Sequence, residues 1–208
     1  MKKYIFSFCV LLCISLQAQL NEVPEDKNEI YLKGNALFLP IGMVNVATEF
    51  QISKKMTLQP ELFISPWKSF FGHEAQMLIL GLDGRYYFDQ AFKHWYIGAN
   101  FSFARFRIQK WNYWADVPYV HNGEVTPYIT SNLYQKGFSF IFGAVGGYQF
   151  NIGERWNLDL YLGVGTSQDF YKGYDRISGD RYDYDGRTWN RSGEIIPFKG
   201  GLMVSYKL

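Results

Sequence analysis

A two-residue beat runs through this chain and leaves little room for anything but strands. From Trp156 to Val164, the large apolar residues Trp156, Leu158, Leu160, Leu162 and Val164 alternate with Asn157, Asp159, Tyr161 and Gly163. A second run sets Val44, Val46, Phe50 and Ile52 against Asn45, Glu49 and Gln51. Successive side chains of a strand point to opposite faces, so each run makes a strand with one apolar and one polar face. Helical periodicity is weak throughout. Beyond the first residues, nothing approaches the ~20 consecutive apolar residues of a helical membrane span.

The same reading gives eight strands, roughly Glu29 to Leu39, Met43 to Ile52, Met56 to Ile64, Ala75 to Phe88, Trp95 to Gln109, Gly137 to Ile152, Trp156 to Thr166 and Glu194 to Leu208. Most reach the ~9–11 residues of a tilted membrane strand. The connections alternate in length. Ser53 to Lys55, Asp89 to His94 and Gly153 to Arg155 are short. Ser65 to Glu74, Lys110 to Lys136 and Ser167 to Gly193 are long. Pro40-Ile41-Gly42 is short where the pattern expects length. Short turns at one end and long loops at the other describe an outer-membrane barrel. The expected fold is therefore all-β: an eight-stranded antiparallel up-and-down transmembrane β-barrel. Composition agrees. Aromatics are 19% of the 208 residues and charged residues only 19%, against the usual quarter, which argues against disorder and coiled coils. A formal charge of +2 gives no reason to expect nucleic acid as a partner.

The first residues read as an export signal. Lys2 and Lys3 precede an apolar stretch from Tyr4 to Leu16, and Ala18-Gln19 offers a cleavage point after a small residue. The expected organisation is a signal peptide over 1–18, a short periplasmic segment over 19–28 and the barrel over 29–208. Both cysteines, Cys9 and Cys13, fall in the signal. Neither follows the small residue that a lipidation site needs, and cleavage would leave no disulfide. Loss of Lys2 and Lys3 brings the 21 basic residues level with the 19 acidic ones. The expected location is the outer membrane of a Gram-negative bacterium.

In such a barrel the apolar face meets lipid and the polar face fills the lumen. The last strand puts Phe198, Leu202, Val204, Tyr206 and Leu208 on the apolar side. Trp95, Tyr96, Trp156, Tyr86, Tyr148 and Tyr206 are placed for a girdle at the short-turn end. Charges on the lumen side are Lys33, Glu49, Glu61, Asp83, Arg85, Asp159 and Lys199. Eight strands leave room only for side chains, so these charges are expected to pair in a network and not to line a pore. Gly143, Gly147, Gly163, Gly165 and Gly201 make room for large inward neighbours. Pro60 lacks a ladder donor and predicts a local bulge. Arg105 and Arg107 mark a strand leaving the membrane towards headgroups or water.

Several segments carry a family likeness. Lys33-Gly34-Asn35-Ala36-Leu37 opens the first strand. Lys54-Lys55-Met56-Thr57-Leu58-Gln59-Pro60-Glu61 leads to a Pro66-Trp67 loop. Then come Leu80-Gly81-Leu82-Asp83-Gly84-Arg85-Tyr86-Tyr87-Phe88 and Trp95-Tyr96-Ile97-Gly98. The chain resembles the outer-membrane β-barrel proteins of unknown function of Bacteroidetes-type bacteria, with their K-x-N-x-L opening, W-S-L third strand and E-x-R-Y-W-F fourth strand. Thr57 and Asp83 depart from those patterns, and the first five strands carry the likeness best. The resemblance implies an eight-stranded outer-membrane barrel and supplies no catalytic residues.

Chemistry is sparse. His73, His94 and His121 show no zinc spacing, so no metal and no cofactor is expected. His73 near Ser69 and Glu74, and His121 near Glu124, are the nearest approach to an acyl-hydrolase cluster, but both sit in loops. Asp183-Tyr184-Asp185-Gly186 begins like a calcium loop, yet Arg187 and Trp189 follow where further acceptors belong. The long loops are rich in Tyr, Trp, Asp and Arg. Trp111, Trp114, Tyr119, Tyr174, Arg176, Tyr182, Tyr184 and Trp189 are candidates for surface recognition of lipopolysaccharide, a glycan or a protein, or for packing the barrel's mouth. The expected function is a non-enzymatic barrel with a side-chain-filled lumen, acting in envelope structure or surface recognition. The alternatives are an outer-membrane acyl hydrolase and a soluble lipocalin-like carrier of an apolar ligand.

Overall fold

The computed structural model describes residues 29–121 and 123–208. The signal and the segment over 19–28 lie outside the described residues. The fold is all-β, with ten strands: β1 (Ile30–Asn35), β2 (Val44–Gln51), β3 (Met56–Ser65), β4 (Ala75–Tyr87), β5 (His94–Ile108), β6 (Pro118–His121), β7 (Glu124–Ile129), β8 (Leu133–Asn151), β9 (Trp156–Asp175) and β10 (Asn190–Lys207). Eight of them form a closed antiparallel ring in the order β1-β10-β9-β8-β5-β4-β3-β2. The β6–β7 hairpin stands apart from the ring, inside the loop between β5 and β8.

The alternation turns apolar side chains outward. Leu32, Val46, Leu58, Leu80, Ile97, Phe142, Leu162 and Ile195, one from each ring strand, are exposed. Inward, the short-turn end is filled by Tyr31, Ala47, Tyr87, Phe92, Tyr96, Val145, Tyr161 and Met203. Phe92 comes from the turn before β5 and adopts φ +65°, a strained backbone for a non-glycine residue. Its ring lies 4.5 Å from Tyr31 and closes the lumen at that end. Tyr96 therefore belongs to the interior and not to the girdle, because strand geometry sends it opposite to its exposed neighbour Trp95. Trp156 meets Tyr206 at 4.8 Å and Trp95 meets Tyr148 at 5.0 Å on the outside.

Wall height is unequal. β1 has 6 residues and β2 has 8, whereas β8 has 19, β9 has 20 and β10 has 18. The strands on the high side run past the expected ends. β8 starts at Leu133, β9 continues through Ser167 to Asp175, and β10 begins at Asn190. Much of the two long loops is thus strand. The ladder continues because backbone pairing satisfies donors and acceptors whatever the side chains face.

Two local expectations change. Pro60 causes no register shift: Ala47–Glu61 and Phe50–Leu58 keep one register, with unpaired positions between them. The proline removes a bond without inserting a residue. The bulge lies instead in β10, between Pro197 and Lys199, and it turns Phe198 inward beside Lys199. Phe198 therefore leaves the apolar outer row, because a bulge shifts the alternation by one residue.

Candidate functional site

The barrel interior is the candidate site, and its floor is built from charge. Lys33 Nζ pairs with Glu49 and lies 2.9 Å from Asp159 Oδ2. Arg85 places Nη1 2.8 Å from Asp159 and Nη2 3.1 Å from Asp83. Lys199 Nζ spans Asp83 at 2.6 Å and Glu61 at 2.9 Å. All seven lumen charges are brought into this one network. Neutral donors serve the carboxylates as well. Tyr96 OH donates to Asp159 at 2.9 Å, Tyr87 OH to Glu49 at 2.7 Å, Asn100 to Asp83 at 2.6 Å and Asn45 to Glu61 at 2.7 Å. The Arg85 guanidinium also rests over the Tyr96 ring, 4.6 Å from its centroid. The site contains three cations and four carboxylates. Hydroxyls and amides compensate the surplus charge, as a buried ionic cluster requires. Arg85–Asp159, Lys199–Glu61 and Lys199–Asp83 join strands three or four apart in the ring and so tie charge across the lumen, whereas Lys33–Glu49 links neighbouring strands.

Phe198 marks the upper limit of this floor. Beside it lies a mainly apolar pocket of about 130 Å³, walled by Phe38, Phe63, Met77 and Ile79 and bounded on the floor side by Asn45, Glu61 and Lys199. Above opens a chamber of about 690 Å³. Both cavities are lined by Met77, Ile79 and Phe198. The glycines explain the fit. A Cβ on Gly143 would come within 2.5 Å of the Phe198 ring, and one on Gly163 within 2.8 Å of Lys199 Cγ. The chamber has two kinds of wall. Met77, Ile79, Ala104, Phe106, Ile108 and Ile141 make an apolar one. The polar one runs from Ser139 of β8 through Ser167 and Asp169 of β9 to Ser192 and Glu194 of β10, with Ile196 and Pro197 below it on β10. Asp169 accepts hydrogen bonds from the hydroxyls of Ser139, Ser167 and Ser192. Polar-face counting missed this chamber. Its signal is the run Met77-Leu78-Ile79-Leu80, where the two-residue beat fails because both faces of β4 are apolar.

The mouth above is packed more than displayed. Tyr182 is buried against Tyr119 at 5.0 Å and Tyr113 at 6.2 Å. Burial first, then the neighbouring Tyr113, pushes the phenols of Tyr119 and Tyr182 far above their ordinary range. Asp183 accepts the Gly173 N–H at 2.6 Å and Arg181 Nε at 2.9 Å, so this acidic loop is tied internally. Tyr174 stacks on Tyr134 at 5.8 Å, and Arg176 lies 3.5 Å from Glu74. Trp189 packs edge-on to Phe138 at 5.5 Å. Trp114 stacks on His73 at 4.3 Å while exposing its outer side. Trp111 and Tyr184 stand out, at 81% and 64% exposure.

The histidines have other employment. His73 Nδ1 pairs with Gln109 Oε1 at 3.0 Å, and Ser69 is exposed on the turn. His121 Nε2 lies 2.9 Å from Asp185, with Glu124 opposite it in the hairpin. Glu74 takes Arg107 at 2.9 Å, and that guanidinium covers the Tyr134 ring at 4.2 Å. Arg105 is exposed. Among the described residues, no group of three or more His, Cys, Asp or Glu is arranged to hold a metal.

With this geometry in place, comparison with known proteins gives a family. Residues 4–206 match the family described as "Protein of unknown function (DUF3575)". The match takes in nearly the whole chain, so the protein belongs to that family. No curated protein and no solved structure gives a match.

Proposed function

We propose that this member of the DUF3575 family is an exported outer-membrane barrel, non-enzymatic, closed to through-flow and open above as a small binding chamber. The observation that carries the reading is sidedness. Apolar side chains face out on every ring strand, and buried charge lies within. A soluble carrier needs the reverse, since an apolar belt in water invites aggregation. The likeness to Bacteroidetes-type outer-membrane barrels and the leader over 1–18 support the same location. Outer-membrane lipid and lipopolysaccharide are the expected surroundings, with a glycan or protein partner at Trp111 and Tyr184. The paired floor supports the closed state, and the separate employment of His73 and His121 supports a non-enzymatic role.

Fractionation and planar-bilayer recording test this together. The expected result is protein in the outer-membrane fraction, lacking residues 1–18 by mass spectrometry, with no porin-like conductance. Recovery as a soluble periplasmic monomer overturns the location. Steady large conductance overturns the closed lumen.

A further inference from the structure

The chamber has a low side. The ladder between β1 and β10 ends at Asn35–Met203, followed by one bond from Ala36 N–H to Leu202 C=O. On its other side β10 stays paired to β9 as far as Asn190–Tyr171. Among the described residues, β10 from Gly201 back to Asn190 thus has a strand neighbour on one side only. The missing wall is the turn Ala36 to Met43, which folds into a short 3-10 helix (Leu39–Ile41) instead of extending. This turn is built, not frayed. Gly42 takes φ +71° under the Trp67 ring, where a Cβ would sit 2.8 Å from the indole. Trp67 Nε1 donates to Ile41 O at 3.0 Å.

The opening lies level with the outward apolar row. Pro197 faces Val164, which ends the row beginning at Trp156. In lipid an unpaired backbone donor is costly, and proline has none. Asn35 Nδ2 reaches Gly200 O at 3.5 Å and caps one of the free carbonyls. Pro197, the bulge and Gly201 also blunt this edge against adding another strand. Leu37, Leu39 and Ile41 are exposed on the turn, and Phe38 turns in to meet Phe63 edge-on at 5.3 Å.

Resting on the outer-membrane reading, we propose that a single-chain amphiphile enters sideways from lipid over the β1–β2 turn, its alkyl tail lying against Phe38, Phe63, Met77, Ile79 and Phe198. The head lies at the wall of Ser139, Ser167, Ser192, Asp169 and Glu194. That wall offers carboxylates and hydroxyl oxygens, so it accepts hydrogen bonds and repels anions. Lys110, the basic residue at the chamber, is drawn over the rings of Tyr113 and Tyr171 at 5.9 and 5.5 Å. The fitting guest has a neutral or cationic head with a hydroxyl or amine; a fatty carboxylate fits poorly. The paired floor stops the tail below Phe198.

The test uses the mature chain in phosphatidylcholine vesicles and dodecanol carrying a diazirine at its tail end. After irradiation, adducts are mapped by mass spectrometry. The expected pattern is labelling of Phe38, Phe63, Met77 and Phe198 as well as outward Leu160 and Leu162. In Ile79→Trp, which sets an indole where the small pocket meets the chamber, interior adducts fall to background while the outward ones persist and report folded protein. The carboxylic acid of the same length labels the interior several-fold less. Outward adducts alone keep the membrane barrel and overturn the side entrance. Interior adducts without outward ones, or concentrated at Trp111 and Tyr171, mean entry from water and overturn it too. Equal interior labelling by alcohol and acid overturns the head-group assignment.

Discussion

Below Phe198 every charged lumen side chain has a counter-ion within 3.1 Å, whereas above it Asp169 is held by three serines beside a chamber of about 690 Å³. The lower interior is tied across the lumen: Arg85 of β4 reaches Asp159 of β9, and Lys199 of β10 reaches Asp83 of β4 and Glu61 of β3. The upper interior is held only around its rim, by ladders and packed loops. A narrow barrel can thus be packed with paired charge at one level and hold a cavity at another without changing its strand count. The side chains of one turn of wall decide which.

The sharpest way to break this contrast is Arg85→Met. Arg85 is fully buried among Asp83, Asp159 and Glu49. Its loss strands carboxylates with too few cations, a change that costs roughly 3–5 kcal/mol in buried pairs. Urea unfolding in detergent should show that loss. Unchanged stability would mean that the floor is not clamped by charge.

Next is Phe198→Ala, which should merge the pocket and the chamber. Phe198 is half-buried, so the cost should lie below the ~3–5 kcal/mol of a fully buried phenylalanine. Conductance should stay closed, because the floor beneath remains paired. A channel opening in this variant would move the barrier from the charges to the ring.

The two halves were not equally legible in the sequence. Lys33, Glu49, Asp83, Arg85 and Asp159 each stand beside a large apolar or aromatic residue, Leu32, Phe50, Leu82, Tyr86 and Leu158 in turn, and a two-residue period assigns the charges to one face without any tertiary information. The upper half offers no such contrast. In Met77-Leu78-Ile79-Leu80 hydrophobicity cannot say which residue looks inward. Phe198 depends on a bulge, which is a feature of pairing and not of the strand alone. The β6–β7 hairpin and the extension of β9 through Asp175 are rich in polar and aromatic residues, so their strand character comes from pairing and not from an apolar beat: the hairpin pairs with itself, and the β9 extension pairs with β8 as far as Leu133–Asp175. The low wall left one trace, the short connection at Pro40-Ile41-Gly42.

A smaller effect is expected at the mouth. Tyr182→Ala removes the ring that Tyr113, Tyr119 and Tyr128 pack around. Limited proteolysis should then cut between Lys110 and Lys136 much faster than in the parent. Global unfolding should shift by no more than ~1 kcal/mol, because the ladders below are untouched and such openings are local. Equal shifts in both measurements would show that mouth and floor unfold as one unit.

The smallest structural effect should come from Trp111→Ala combined with Tyr184→Ala. Both side chains are largely exposed. Although Arg181 lies over the Tyr184 ring at 5.1 Å, neither is locked into the tyrosine cluster. Stability should stay within ~0.5 kcal/mol of the parent, as for surface substitutions that remove no buried contact. Binding to lipopolysaccharide-bearing vesicles or to a glycan array is the informative readout. Exposed aromatic faces supply contact area at little ordering cost, so a recognition role predicts weaker surface binding with folding intact. Trp114→Ala is the internal comparison, since its ring is already spent on His73 and its loss should loosen the mouth before it weakens any contact outside. If both variants leave surface binding unchanged, the loop aromatics serve to roof the chamber, and recognition by the barrel is confined to what reaches its interior.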